Sequence, residues 1–257
     1  MLTTTFIQDR LVNLAAERKV DIRYANESGS RAWGLASTES DYDVRFIYQR
    51  PREWYLQLER RKDMIGPIME LDGELDLAGW DLRKVMSHLA NSNAGVIEWL
   101  YSPVVYHRDN DFLAAMRQLS AQYFQPSKVV AHYLGISQSA TKAGYDEATD
   151  TWNLKKFFYY LRPILAADFV AAEQSAPPVA FSDLLYRADV VDLQDIIMEL
   201  IAHKETVGEA YRMQIPPILT NYLKRFRATV SDAQKSLPRR AMDMAAANGL
   251  FRELVGY

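Results

Sequence analysis

Apolar positions at Phe6, Leu11, Leu14 and Ala15 recur at roughly helical spacing, so residues 3–18 predict an amphipathic helix. From Val20 to Tyr24 the pattern alternates and predicts a strand. That strand leads into Gly29-Ser30, a turn signal, and residues 31–36 follow as a short helix. Tyr42 to Tyr48 alternates again, with Val44 and Phe46 on one face, and Pro51 ends the run. Residues 63–71 and 74–79 predict a hairpin joined at Asp72-Gly73. Asp81 then predicts an N-cap for a helix over 82–91. The β-rich half runs to about residue 108.

Beyond that point the periodicity is helical, over 111–123, 127–144, 154–173, 193–210, 218–237 and 240–255. Breaks fall at Gln125-Pro126, at Ala176-Pro177-Pro178 and at Pro216-Pro217. Pro163 should end or kink the helix that contains it. The fold class expected is α+β: a small mixed sheet with flanking helices over 1–108, then a mostly helical domain over 109–257.

The candidate chemistry lies between the first two predicted strands. Gly29-Ser30-Arg31-Ala32-Trp33-Gly34 is followed by Ser40-Asp41-Tyr42-Asp43-Val44-Arg45. Residues two apart on a strand share a face, so Asp41 and Asp43 are expected side by side. Paired carboxylates suit a hard cation such as Mg²⁺ or Mn²⁺. The Gly29-Ser30 turn offers backbone N–H groups and a hydroxyl to phosphate oxygens. A third carboxylate is expected from the strand Glu74-Leu75-Asp76-Leu77, with Asp76 favoured and Glu74 the alternative. Arg31 and Arg45 sit beside the motif, either as phosphate contacts or as ordinary surface arginines.

The Gly-Ser turn and the Asp-x-Asp strand resemble the signature of the DNA polymerase beta-like nucleotidyltransferase superfamily. The run Glu74-Leu75-Asp76-Leu77-Ala78-Gly79-Trp80-Asp81-Leu82-Arg83-Lys84, and Ile97-Glu98-Trp99-Leu100-Tyr101-Ser102-Pro103 after it, narrow the resemblance. They are similar to one bacterial and phage family, described as a predicted nucleotidyltransferase of the RNA repair pathway, DNA polymerase beta family. Lys155-Lys156-Phe157-Phe158-Tyr159-Tyr160-Leu161-Arg162-Pro163 and Leu250-Phe251-Arg252-Glu253-Leu254 extend it over nearly the whole chain. The resemblance implies a nucleotidyltransferase-type sheet, with Asp41, Asp43 and Asp76 as catalytic and metal-holding acids. Two Mg²⁺ or Mn²⁺ ions are expected with the bound NTP.

On the helix over 154–173, Lys155, Tyr159 and Arg162 lie near one face. That face either closes over the nucleotide or belongs to an amphipathic helix whose cations snorkel to water. With Gly29, Ser30 and Arg31, these three complete the candidate nucleotide contacts.

Composition trims the alternatives. The chain has 257 residues, 49% of them hydrophobic and 25% charged, with a formal net charge of −3. This balance argues against indiscriminate nucleic-acid binding. The basic stretches 50–62 and 224–240 read as solvated faces or as an RNA-binding rim. Cysteine is absent, which removes thiol nucleophiles and disulfides and fits a reducing, cytoplasmic setting. No apolar run reaches the ~18 residues of a membrane span, and the N-terminal helix does not read as a signal peptide. Gly-x-x-x-x-Gly-Lys is absent, and the four histidines show no metal-ligand spacing.

The expected function is transfer of a nucleoside monophosphate from an NTP to a hydroxyl, with release of pyrophosphate. RNA, a protein side chain and a small molecule all remain as acceptors, a tRNA-like RNA end among them. The alternative is a non-catalytic nucleotide- or RNA-binding module acting as a partner in a multi-component system.

Overall fold

The computed structural model describes residues 2–59, 61–187, 193–239 and 243–256. Helix α1 (Thr4–Arg18) starts where the Thr3 side chain accepts a hydrogen bond from the Phe6 N–H, and it ends at Lys19 in the left-handed region. Its buried stripe is Ile7, Leu11 and Leu14, spaced four and three apart, while Phe6 remains 42% exposed. Ile7 thus takes the core position that the pattern gave to Phe6.

The elements that follow are β1 (Asp21–Glu27), the five-residue helix α2 (Gly29–Trp33), β2 (Tyr42–Gln49) and the short helix α3 (Arg52–Tyr55). Helix α2 begins at Gly29 rather than Arg31 and stops at Gly34, whose φ of +73° cannot continue a right-handed helix. Next come β3 (Met64–Glu70), a 3₁₀ turn (Leu71–Gly73) and β4 (Leu75–Asp81), so the expected hairpin forms around Asp72-Gly73. Helix α4 (Leu82–Ala90) is capped by Asp81, whose side chain accepts from the Arg83 N–H. Then follow α5 (Ala94–Leu100), β5 (Val105–Arg108) and α6 (Asn110–Gln122).

The later part holds α7 (Pro126–Gly144), β6 (Tyr145–Asp146), β7 (Thr151–Asn153), α8 (Leu154–Glu173), α9 (Phe181–Arg187), α10 (Gln194–Thr206), β8 (Arg212–Met213), α11 (Pro217–Lys235) and α12 (Ala245–Leu254). Strands β6, β7 and β8 form a small antiparallel sheet that the helical periodicity did not announce. Helix α8 runs through Pro163 instead of ending there. Nearly every residue from Phe157 to Ala167 is buried, and this packing offsets the one backbone hydrogen bond that proline removes. The first residues of the helix expected over 240–255 lie outside the described residues. Among the described residues, no helix is long and apolar enough to cross a membrane.

The chain divides into two compact units. Unit 1 comprises Met1–Ala32, Ser40–Phe124 and Ala241–Tyr257, and unit 2 comprises Trp33–Glu39 and Gln125–Arg240. Helices α6 and α12, both beyond residue 108, therefore lie in unit 1. The protein is α+β, with a mixed sheet, flanking helices and a helical later part.

Unit 1 is built on a five-stranded sheet of order β3-β4-β2-β1-β5. Strands β2 and β4 pair in parallel and the other neighbours are antiparallel. Val44, Phe46, Tyr48, Leu75 and Leu77 share one buried cluster with Ile7, Leu11 and Leu14 of α1. Alternation then puts Asp43, Arg45 and Asp76 on the opposite face.

Asp81 is fully buried and also accepts from the Tyr55 hydroxyl at 2.9 Å. Burial pushes its carboxyl above the ordinary 3.8. The raised value fixes the sign: this group supports folding below 3.8 and loses that support as pH rises through its folded pKa. Asp81→Asn keeps the cap and should flatten that part of the stability–pH curve between pH 4 and neutrality. Asp81→Ala loses both bonds and should cost about 2–4 kcal/mol in denaturant melts.

Candidate functional site

The parallel register pairs Asp43 with Asp76 as direct cross-strand partners, two carboxylates on the sheet face away from α1. Like charges in that relation repel. Arg45, two residues along the same face, relieves the repulsion. One guanidinium nitrogen, Nη2, donates to Asp43 Oδ1 and to Asp76 Oδ2, each at 2.8 Å. Its Nη1 donates to the Asp76 and Val44 carbonyls, each at 3.2 Å. The three side chains are 18–26% exposed, so the cluster lies at the sheet surface. Asp76 Oδ1 is buried and has no hydrogen-bond partner.

Asp43 is pressed against the Gly-Ser turn. The Ser28 N–H donates to the Asp43 carbonyl at 2.9 Å. A Cβ added at Gly29 would lie 2.3 Å from Asp43 Oδ2, and Gly29 has φ +61°. Only glycine meets both conditions. Ser30 is 6% exposed and follows Gly29 in the first turn of α2.

Behind the strand sits Glu27, 1% exposed. Its Oε1 accepts from the Asp43 N–H at 2.7 Å, and its Oε2 accepts a short hydrogen bond from the Tyr106 hydroxyl. Burial pushes its carboxyl above the ordinary value, while those two hydrogen bonds hold the shift back. Burial likewise raises the Tyr106 phenol. Sequence reasoning passed over Glu27, and only its position two residues before Gly29 marks it.

The other expected residues separate. Arg31 is engaged by the backbone just before β2. Its Nε and Nη2 donate to the Ser40 and Asp41 carbonyls at 2.6–3.2 Å, and its guanidinium lies 3.7 Å from the centre of the Tyr42 ring. Asp41 precedes β2, and its backbone carbonyl is held by Arg31. Glu74 precedes β4, where its carbonyl accepts from the Tyr42 N–H at 2.8 Å, so the strand acid aligned with Asp43 is Asp76.

Within unit 2, Arg162 is 1% exposed and donates from Nη2 to the Val179 carbonyl at 3.0 Å. Its guanidinium also stacks 4.5 Å from the Trp33 ring centre. A side chain so enclosed does not line a solvent-filled opening, which corrects the expectation for Arg162. Tyr159 meets Trp33 edge-on at 4.8 Å, and Lys155 pairs with Glu209. Tyr159 and Arg162 thus come together, but around Trp33. The Lys204 ammonium donates to the Leu35 carbonyl at 2.6 Å, and burial lowers its pKa.

The carboxylate pair can take a divalent cation: two hard oxygen donors converge, and one buried oxygen lacks a partner. Among the described residues, no group of three or more His, Asp or Glu is arranged to hold a metal. The donors present therefore fit one ion that completes its shell with water and phosphate, as Mg²⁺ commonly does.

Comparison with known proteins shows the family. The chain belongs to the RNA repair pathway DNA polymerase beta family, whose pattern matches residues 4–253. It is 34% identical over 242 residues to the uncharacterized protein YcgL of Bacillus subtilis (strain 168), covering 93% of this chain and 91% of that one. It also aligns with the crystal structure of a nucleotidyltransferase-like protein from Exiguobacterium sibiricum 255-15. There the identity is 14% and the TM-score 0.34, over 96% of this chain and 79% of that chain.

Two glycines separate backbone freedom from close approach. Gly34 has φ +73° and nothing within 4 Å of an added Cβ, so Gly34→Ala should cost about 1–2 kcal/mol. Gly29→Ala adds the collision with Asp43 and should cost roughly 2–5 kcal/mol. Paired urea melts check the difference; equal losses would contradict the contact.

Proposed function

We propose that this protein is a metal-dependent nucleotidyltransferase that moves a nucleoside monophosphate from an NTP to a hydroxyl acceptor. The observation that carries the proposal is the in-register pair Asp43 and Asp76, set against Gly29 of the Gly-Ser turn. In this reading Asp43 and Asp76 hold a divalent cation, and Asp41 supplies a further acid from the adjoining loop. The cation would neutralise charge on the transferred phosphate and acidify the attacking hydroxyl. Gly29 and Ser30 bind phosphate oxygens through backbone N–H groups and the hydroxyl. Glu27 fixes the Asp43 backbone from behind through its N–H.

Arg45 acts on both sides of the binding step. Without a cation it compensates the two carboxylates. With a cation held by the two acids, the Arg45 guanidinium would be available to phosphate, where its donors suit anionic oxygens. Catalysis then rests on positioning and charge neutralisation, as is general for phosphoryl and nucleotidyl transfer. The family description favours an RNA end among the acceptors. Arg162 is left to its role inside unit 2.

The test is pyrophosphate release with each NTP and Mg²⁺ or Mn²⁺, against RNA, protein and small-alcohol acceptors. Asp43→Asn and Asp76→Asn should each lower turnover at least about a hundredfold, the order expected when a charge-organising group is removed. Both should keep the wild-type circular dichroism spectrum. Wild-type turnover in either variant would end the catalytic reading. The ion pairing of Arg45 to both acids is the one observation that favours a binding-only module. Metal-dependent NTP binding without turnover on any acceptor would be its signature.

Arg45→Gln supplies a separate check. The two carboxylates then face each other uncompensated, so metal-free stability should fall by roughly 1–3 kcal/mol. Mg²⁺ should restore more stability to this variant than to the wild type. Equal metal responses in thermal melts would count against a cation site between the acids.

A further inference from the structure

Unit 2 contains a cavity of about 560 Å³, inside the roughly 300–1,000 Å³ typical of small-molecule sites. One wall is aromatic. Tyr145 and Trp152 have ring centres 5.3 Å apart, and Trp152 and Tyr160 are 5.0 Å apart. The Tyr145 ring is partly exposed, and its hydroxyl donates to Asp150 Oδ1 at 2.8 Å, which fixes the ring's orientation.

The remaining wall is cationic. Lys142 comes from α7, and Lys224 and Arg227 come from α11. Among the described residues, neither lysine is engaged in an ion pair. Arg227 donates from Nη2 to the Leu134 carbonyl at 3.2 Å, yet its Nε is buried without a partner. Asp150, the acid lining the cavity, is already engaged by Tyr145. Three cations lining one cavity favour an anion there.

We infer that this cavity binds a nucleotide: a base laid against Tyr145 beside Trp152, with its phosphate held by Lys142, Lys224 and Arg227. Aromatic faces stack any base, and charge-assisted hydrogen bonds take the phosphate. Gln138 and Asn221 line the same space and carry both donors and acceptors for a base edge. A free mononucleotide and the end of an RNA strand share this chemistry. The inference does not rest on Asp43, Asp76 or the proposed transfer reaction, because every residue in it lies in unit 2.

The test is equilibrium dialysis of the full chain in EDTA, which removes metal-dependent binding elsewhere. The probes are 5′-AMP, adenosine, inorganic phosphate and a 5′-phosphorylated octa-adenylate RNA. At least one nucleotide probe should bind, with adenosine and phosphate each at least about tenfold weaker. Lys142 and Lys224 are exposed, so Lys142→Gln/Lys224→Gln should fold normally and weaken nucleotide binding about tenfold or more. Asp43→Asn/Asp76→Asn should bind like the wild type. RNA binding about tenfold tighter than 5′-AMP would identify a strand end as the ligand, and equal binding would identify a free nucleotide. Either result upholds the site. No binding of either nucleotide probe, unchanged binding by the lysine variant, or loss in the carboxylate variant would overturn it.

Discussion

The arrangement of unit 1 turns on the parallel pairing of β2 with β4 and on its register. Asp43 and Asp76 become neighbours because the two strands align residue for residue, with Leu75, Leu77, Val44 and Phe46 all committed to the core. A slip of one residue would bury a carboxylate and expose a leucine, so the hydrophobic face enforces the position of the acids. Parallel neighbours need a crossover, and here α3 and β3 lie between β2 and β4 in the chain. β3 then turns back to cover the outer edge of β4.

That register also creates the site's main energetic burden, which is carboxylate beside carboxylate. Arg45 offsets it with one nitrogen shared between the two acids, and Gly29 lets the turn close against Asp43 without a side chain between. Glu27 lies beneath them, buried and held by Tyr106. A cluster of three acids and one arginine near the surface of a sheet does little for stability by itself. Buried ionic groups are weakly stabilising at best.

Much of this was legible along the chain. The alternation of β2, the turn at Asp72-Gly73 and the cap at Asp81 are local signals, and each forms where the pattern put it. That Asp76 rather than Glu74 aligns with Asp43 follows from the β2–β4 register, which is nonlocal and leaves no mark in either strand. Glu27 was hidden because an acid at a strand end looks like any solvated residue until Tyr106, about eighty positions away, is brought onto it. Arg162 misled for the opposite reason. A long cation on an amphipathic helix reads as a surface group, and only Val179 and Trp33 show that it is enclosed. The small sheet β6-β7-β8 escaped notice because strands of two or three residues carry no measurable period.

The central claim is that Asp43 and Asp76 form a cation site completed by a triphosphate. Its most direct measurement is the melting temperature with Mn²⁺ alone, with a non-hydrolysable NTP analogue alone, and with both together. A ligand that binds only the folded state raises the melting temperature in proportion to its binding free energy. The account predicts a small shift with either component and a much larger one with the pair, abolished in Asp76→Asn. An equal shift from the analogue with and without Mn²⁺, or a joint shift that survives in Asp76→Asn, would contradict it.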